Sequence, residues 1–224
     1  MCGRFTLFAP YFEMIERFDI EVAFQENDYI PSYNIAPSQQ VVAIINDGRK
    51  NRLGHLRWGL IPPWAKDEKI GYKMINARAE TVSEKPSFRN SFKKKRCLIP
   101  ADSFYEWQKV GDGKVPLRIK LKSDEVFAIA GLWDSWVSTD GSIIHSCTAI
   151  TTVPNELVKP IHNRMPVILK RENEAAWLDP KNEDIELLKS LLMPFDEKQM
   201  EAYIVSSAVN SPKNNEKSLI IEVC

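Results

Sequence analysis

Apolar positions along most of this chain fall in short runs broken by glycine, proline and aspartate, the signature of strands rather than long helices. Residues 41–45 read as a buried strand, Asn46-Asp47-Gly48 as a turn, and residues 53–58 as the returning arm of a hairpin. Residues 96–99, 103–109 and 117–121 continue the pattern, the latter two joined across Gly111-Asp112-Gly113. A second hairpin pairs 126–137 with 143–152 around Thr139-Asp140-Gly141, and short strands are expected at 167–169, 200–205 and 219–223. Helical spacing is rarer. Tyr11, Met14, Ile15 and Phe18 predict one amphipathic helix over 10–18, and residues 172–178 and 184–192 predict two more, with a helical turn at 154–161. Residues 59–64 form a stiff loop, because Pro62 and Pro63 fix φ and withhold two donors. The expected fold is α+β: one domain over 1–224, with a curled, largely antiparallel β-sheet or barrel-like core and a few flanking helices. There is no internal repeat or low-complexity tract.

Composition narrows the function classes. With 224 residues the chain is long enough for a substantial core. Lys plus Arg and Asp plus Glu are both 30, so bulk charge does not signal a nucleic-acid partner, which would need a locally basic face. Cys2, Cys97, Cys147 and Cys224 are scattered without a CxxC pair, which argues against zinc and a disulfide framework and fits a reducing compartment. No apolar run reaches transmembrane length, and the start lacks a signal-peptide pattern. A soluble intracellular protein is the expectation.

The chain start carries distinctive chemistry. A small residue after Met1 normally permits its removal, which would leave Cys2 with an α-amine and a thiol on adjacent carbons. The amine can condense with an aldehyde to an imine, and the thiol can close a thiazolidine on the same carbon. An α-amine has a pKa of about 7.7–8.0, so roughly a tenth or more is free base at neutral pH, far more than for a lysine. The plain alternative is that Cys2 is incidental to the start site.

Four further stretches put polar groups where a core would not ask for them. In Ser103-Phe104-Tyr105-Glu106-Trp107, strand alternation sets Glu106 on the Phe104 face with Tyr105 and Trp107 opposite. A carboxylate among aromatics is desolvated and becomes either a general acid–base or the partner of a buried arginine. His162 lies in a connection beside Arg164, where functional groups concentrate or a histidine caps the chain, whereas His55 and His145 sit in strands as structural residues. The run 75–81 alternates Asn76, Arg78 and Glu80 with small neighbours. It suits either a phosphate and a reacting oxygen or a salt-bridged helix start. Trp64, beside two prolines, is placed to stack on a base, whereas Trp58 belongs to the core.

Seven motifs in order, MCGRF at the start, YNIAP at 33–37, WGLIPPW at 58–64, INARAET at 75–81, RCLIPADSFYEW at 96–107, AGLW at 130–133 and HNRMPVIL at 162–169, resemble the SRAP family of abasic-site processing proteins nearly end to end. The resemblance implies a DNA–protein crosslinking enzyme of the SOS and DNA-damage response. Cys2, freed of Met1, would trap the aldehyde of an abasic site in single-stranded DNA as a thiazolidine. Asn76, Glu106 and His162 match the family's active-site positions: Glu106 would manage protons in imine formation and reversal, His162 would assist sugar ring opening, and Asn76 would hold the Cys2 end. Arg4, Arg78 and Arg164 match its phosphate-gripping positions, and Asn34, Pro37 and Trp64 its DNA path. It implies no cofactor and no metal, a partner of abasic single-stranded DNA near a duplex junction, no membrane, a monomer, and a cytoplasmic location on the nucleoid when DNA-bound. Ser103 replaces the family's usual glycine. Two rivals stand: a cysteine-type peptidase or autopeptidase acting through Cys2, with His162 as base and its own Met1 as substrate, and a non-covalent single-stranded DNA-binding module.

Overall fold

The computed structural model describes residues 2–223. Two sheets make up the fold. The first has five strands, all antiparallel: β1 (Phe5–Leu7), β2 (Ser32–Ile35), β7 (Ser103–Val110), β8 (Gly113–Leu121) and β13 (Met200–Ile204), in the spatial order β13-β8-β7-β1-β2. The second is built on β3 (Gln40–Asn46), β4 (Asn51–Trp58), β6 (Arg96–Ala101), β9 (Phe127–Val137) and β10 (Ile143–Thr152). Its pairings run β3–β4, β4–β10, β10–β9, β9–β6 and β6–β3, which closes a ring and leaves these five strands as a barrel. Three short strands, β5 (Asn76–Arg78), β11 (Met165–Pro166) and β12 (Ile168–Leu169), extend it beside β10 and β9.

The barrel interior is tight. A Cβ on Gly131 would stand 2.8 Å from Cys97 Sγ and 3.2 Å from the Thr148 carbonyl, so glycine is what lets β9 pass. Cys97 and Cys147 are both fully buried, and burial pushes each thiol's pKa upward. Four short helices lie around the sheets: α1 (Tyr11–Arg17), α2 (Arg89–Lys94), α3 (Arg171–Leu178) and α4 (Ile185–Ser190). Trp177 of α3 is buried with its indole N–H on the Cys97 carbonyl at 3.1 Å.

The α+β class and the barrel-like core are as expected, and all three expected turns join antiparallel strands, with Gly48, Gly111 and Gly141 at positive φ. Three features differ. Residues 219–223 form a 3₁₀ turn (Lys217–Ile220) followed by a single bridge from Glu222 to Val205, not a strand. Leu219 alone is buried there, and the Ile220 carbonyl accepts from the Tyr203 hydroxyl at 2.9 Å, so side chains take the bonds a ladder would need. The run 75–81 contributes a strand, β5, rather than a helix start, because β10 offers it a parallel partner. That pairing and β4–β10 are the parallel exceptions to the antiparallel rule.

Candidate active site

The start of the chain is sewn into the first sheet. Phe5 and Thr6 of β1 pair with Phe104 and Ser103 of β7, and the Tyr105 amide donates to the Arg4 carbonyl at 2.9 Å. This leads Cys2 inward, where it is 1% exposed. Asn76 Nδ2 donates to the Cys2 carbonyl at 2.8 Å, and Asn76 is itself set by the β5–β10 pairing. Trp58 joins the two elements: its ring meets Phe5 edge-on at 5.1 Å, and its indole N–H donates to the Ile75 carbonyl at 2.8 Å. Four expected residues, Cys2, Asn76, Glu106 and His162, share this pocket.

Glu106 follows Phe104 on one face of β7, while Tyr105 packs on the other with Val205, Val209 and Leu219. The Glu106 carboxylate is nearly fully buried, and desolvation raises its pKa from the ordinary 4.5 to about 7. No buried arginine pairs with it among the described residues. His162 Nδ1 stands 3.9 Å from Glu106 Oε1, an electrostatic neighbour too distant for a hydrogen bond, and Oε1 has no hydrogen-bond partner among the described residues. The backbone of Arg164 holds the His162 ring at Nδ1, with its amide nitrogen at 3.1 Å and its carbonyl oxygen at 3.2 Å; the tautomer decides which of the two pairs with it. Burial lowers the imidazole's pKa. The Cys2 thiol moves the other way, raised by burial first and then by the charge of Glu106. At neutral pH the pocket therefore holds a protonated thiol, a neutral imidazole and a carboxyl close to half-ionised. Asn76 Oδ1 is also buried without a hydrogen-bond partner among the described residues. Such a set has the groups that proton transfer needs. Among the described residues no cluster of three His, Cys, Asp or Glu could hold a metal ion.

The residues expected to grip DNA divide into available and committed. Arg78 is exposed and lies two positions from Asn76, hence on the same face of β5. Trp64 is 57% exposed, and its loop is tethered where the Trp136 indole donates to the Ala65 carbonyl at 2.7 Å. Pro37, just past β2, is half-buried. Arg4 lies over the Trp107 ring at 5.8 Å, with Nη1 donating to both Asn34 Oδ1 and the Val209 carbonyl at 2.7 Å. Asn34 is buried, and its Nδ2 donates to the carbonyls of Val209, Ser211 and Asn214, so it anchors the C-terminal segment and orients Arg4. Arg164 makes a bidentate pair with Glu80, at 2.6 and 2.9 Å, and reaches the Thr151 carbonyl at 2.6 Å. That fork lowers the pKa of Glu80. His55 stacks on Phe24 at 4.4 Å, and His145 bonds the Ser135 hydroxyl at 2.8 Å, in keeping with structural roles.

The sequence missed the partners rather than the principals. Glu80 stood in a quoted motif, but nothing in it pointed to Arg164, 84 residues away. The Trp107 indole bonds Asn210 Oδ1 at 2.7 Å, which sets the C-terminal segment beside Arg4 and had no sequence signal. A cavity of about 560 Å³ lies elsewhere, between the end of β8 and the start of α3, lined by Lys122, Phe127, Lys170 and Lys198 among others. It contains none of these groups. No helix of the described residues is long and apolar enough to cross a membrane.

A β-barrel fused to a five-stranded sheet, with Cys2 drawn into a pocket of carboxyl, imidazole and carboxamide, defines an α+β protein with a candidate site at its first described residues. The family model for SOS response associated peptidase (SRAP) matches residues 1–212, and the chain belongs to that family. It is 63% identical over 221 residues to the abasic site processing protein YoqW of Bacillus subtilis, covering 98% of this chain and 99% of that one. The abasic site processing protein HMCES of Xenopus tropicalis is 31% identical, over 84% of this chain and 64% of its own. A crystal structure of a Bacteroides thetaiotaomicron protein superposes with a TM-score of 0.90 at 29% identity, covering both chains completely.

Proposed function

We propose that this protein processes abasic sites in single-stranded DNA by forming a covalent thiazolidine through Cys2. The observation that carries the reading is the pocket itself: Asn76 holds the Cys2 carbonyl at 2.8 Å beside a buried carboxyl poised near pH 7, with an imidazole 3.9 Å from that carboxyl. The names of YoqW and HMCES bring abasic DNA to the same conclusion.

The reaction needs Met1 removed, a step that concerns a residue outside those described. The free Cys2 amine then attacks the aldehyde of the ring-opened sugar, and loss of water gives the imine. The thiol adds across the C=N bond, the new C–S bond forming as the thiol proton leaves and the nitrogen gains one. Glu106, near half-ionised, serves both transfers, accepting in one direction and donating in the other. Neutral His162 assists ring opening of the sugar. Ring closure is intramolecular, so a protonated, buried thiol suffices where an intermolecular nucleophile would need to be thiolate. That point separates this reading from a peptidase acting on other proteins, whose thiol would need a lowered pKa; here it is raised. Arg78 and Trp64, the exposed members of the set, supply contacts to phosphate and base.

The test is a denaturing gel. Protein with verified Cys2 start is incubated with an abasic oligonucleotide, an intact one and casein. A heat-stable shifted band with the abasic strand alone is expected; cleaved casein favours the peptidase, and no adduct with any DNA refutes the covalent reading. Cys2→Ala removes the stable band while leaving non-covalent binding.

A further inference from the structure

The pocket works only if a very short strand holds its place. β1 has three residues, and its pairing to β2 already carries an irregularity between Phe5 and Leu7. A strand so short is weakly specified by its ladder. A slip of two residues against β7 keeps every side chain on its face and displaces Cys2 by roughly 7 Å.

A buried chain of polar groups marks one register. Thr6 and Ser103 are directly opposite and fully buried, with their hydroxyl oxygens 2.6 Å apart. Arg118 of β8, 5% exposed, donates from Nε to Ser103 Oγ at 2.8 Å. The Ser103 oxygen accepts from Arg118 and keeps a second lone pair, so either hydroxyl can donate across the Thr6–Ser103 pair. The guanidinium lies over the rings of Phe8 and Tyr203, at 5.6 and 5.8 Å, and also donates to the Tyr203 hydroxyl. No carboxylate forms a salt bridge with Arg118 among the described residues; its guanidinium bonds hydroxyls and a carbonyl, lies over aromatic faces, and is close enough to buried Asp102 for its charge to favour that carboxylate. If β1 slips, the Ser103 and Thr6 hydroxyls lose each other in a place water does not reach, and the register is penalised chemically rather than by shape.

We infer that the Arg118–Ser103–Thr6 chain is a register key for the N-terminal strand, and that Thr6 and Ser103 are positioning residues for the Cys2 chemistry. The inference rests on the proposed function for its catalytic consequence, but the register itself can be read without DNA.

The experiment compares wild type with Thr6→Val, which keeps the volume and loses the hydroxyl, with Thr6→Ser, which keeps the hydroxyl, and with Ser103→Ala. Iodoacetamide labelling of each cysteine is followed by peptide mass spectrometry, with buried Cys97 and Cys147 as internal monitors of global opening. Adduct formation is then timed at saturating abasic oligonucleotide, and affinity for the intact strand is measured separately. Thr6→Val and Ser103→Ala are expected to label Cys2 about tenfold faster with Cys97 and Cys147 unchanged. They should form adduct about tenfold more slowly at unaltered affinity, and Thr6→Ser should stay near wild type. Unchanged Cys2 labelling overturns the inference. So does labelling that rises equally at all three cysteines, which marks plain destabilisation, and so does faster Cys2 labelling with a wild-type adduct rate. If wild type itself forms no adduct, the proposed chemistry fails, and the labelling arm still decides the register.

Discussion

Replacing Glu106 with glutamine should stabilise the protein, and by an amount that depends on pH. Burial raises the Glu106 pKa from 4.5 to about 7, so the folded state resists ionising a group that the unfolded chain ionises readily. At about 1.36 kcal/mol per tenfold, that difference comes to roughly 3 kcal/mol. The sign follows from proton counting. Between pH 4.5 and 7 the native state binds more protons at this site than the unfolded state, so stability falls as pH rises through that window, and the full penalty stands above it. Glutamine mimics the protonated carboxyl in shape and never ionises. Thermal unfolding of wild type and Glu106→Gln should therefore nearly coincide at pH 4.5, while at pH 8 the variant melts about 6–12 °C higher, using about 2–4 °C per kcal/mol for a chain of this length. Taking the difference between the two proteins at each pH cancels groups that do not feel Glu106, such as Asp102, which burial raises to about 6, and leaves the change at Glu106 with its neighbours His162 and Cys2. A melting difference that is the same at pH 4.5 and pH 8 would refute the claim that Glu106 is held at a desolvation cost, and with it the reason to see Glu106 as the proton carrier.

The same substitution should slow adduct formation and flatten its pH dependence between 5 and 8, and His162→Ala should slow it without abolishing it; single-turnover gels over that range check both. In a salt series followed by fluorescence anisotropy on intact single strands, Arg78→Ala should make the slope of log affinity against log salt shallower by about 0.7, and wild-type values would make Arg78 structural. Trp64→Ala should cost about 1–3 kcal/mol of binding with little change in that slope. Gly131→Ala should destabilise by at least about 1–3 kcal/mol in denaturant titration, because its Cβ would stand 2.8 Å from Cys97 Sγ inside the barrel.

Much of this arrangement was legible in the sequence where a local rule governs it. Glycine turns locate the three hairpin pairs, and alternation along β7 separates Glu106 from Tyr105. Both Trp58 and Trp64 fell where expected, the first buried at a strand end and the second exposed, although Gly59 to Pro62 between them are buried. What was not legible depends on distant partners. β1 and β5 have three residues each, too short for a period, and are strands only because β7 and β10 lie alongside. Asn34 shows the same limit: its motif marked it as important, yet its three bonds to the C-terminal segment depend on a chain more than 170 residues away. Arg164 reads as a free cation in sequence and as half of a bidentate pair in space.

Barrel closure also dictates when the protein acquires its pocket during synthesis. The ring is sealed by β4 against β10, joining Arg57 to Ser146 across about ninety residues, and β5 has β10 as its paired strand. Contacts of such long sequence separation form late, after the hairpins. Cys2 leaves the ribosome first, yet Asn76 cannot hold it until β10 exists, and His162 follows later still. At about 5–20 residues per second, the first residues made spend roughly 10–40 s without their housing. On the proposed chemistry, Cys2 is thus most open to stray aldehydes while the chain is being made, and brief formaldehyde exposure should modify it on stalled, Met1-processed nascent chains ending before residue 143 far more than in the finished protein.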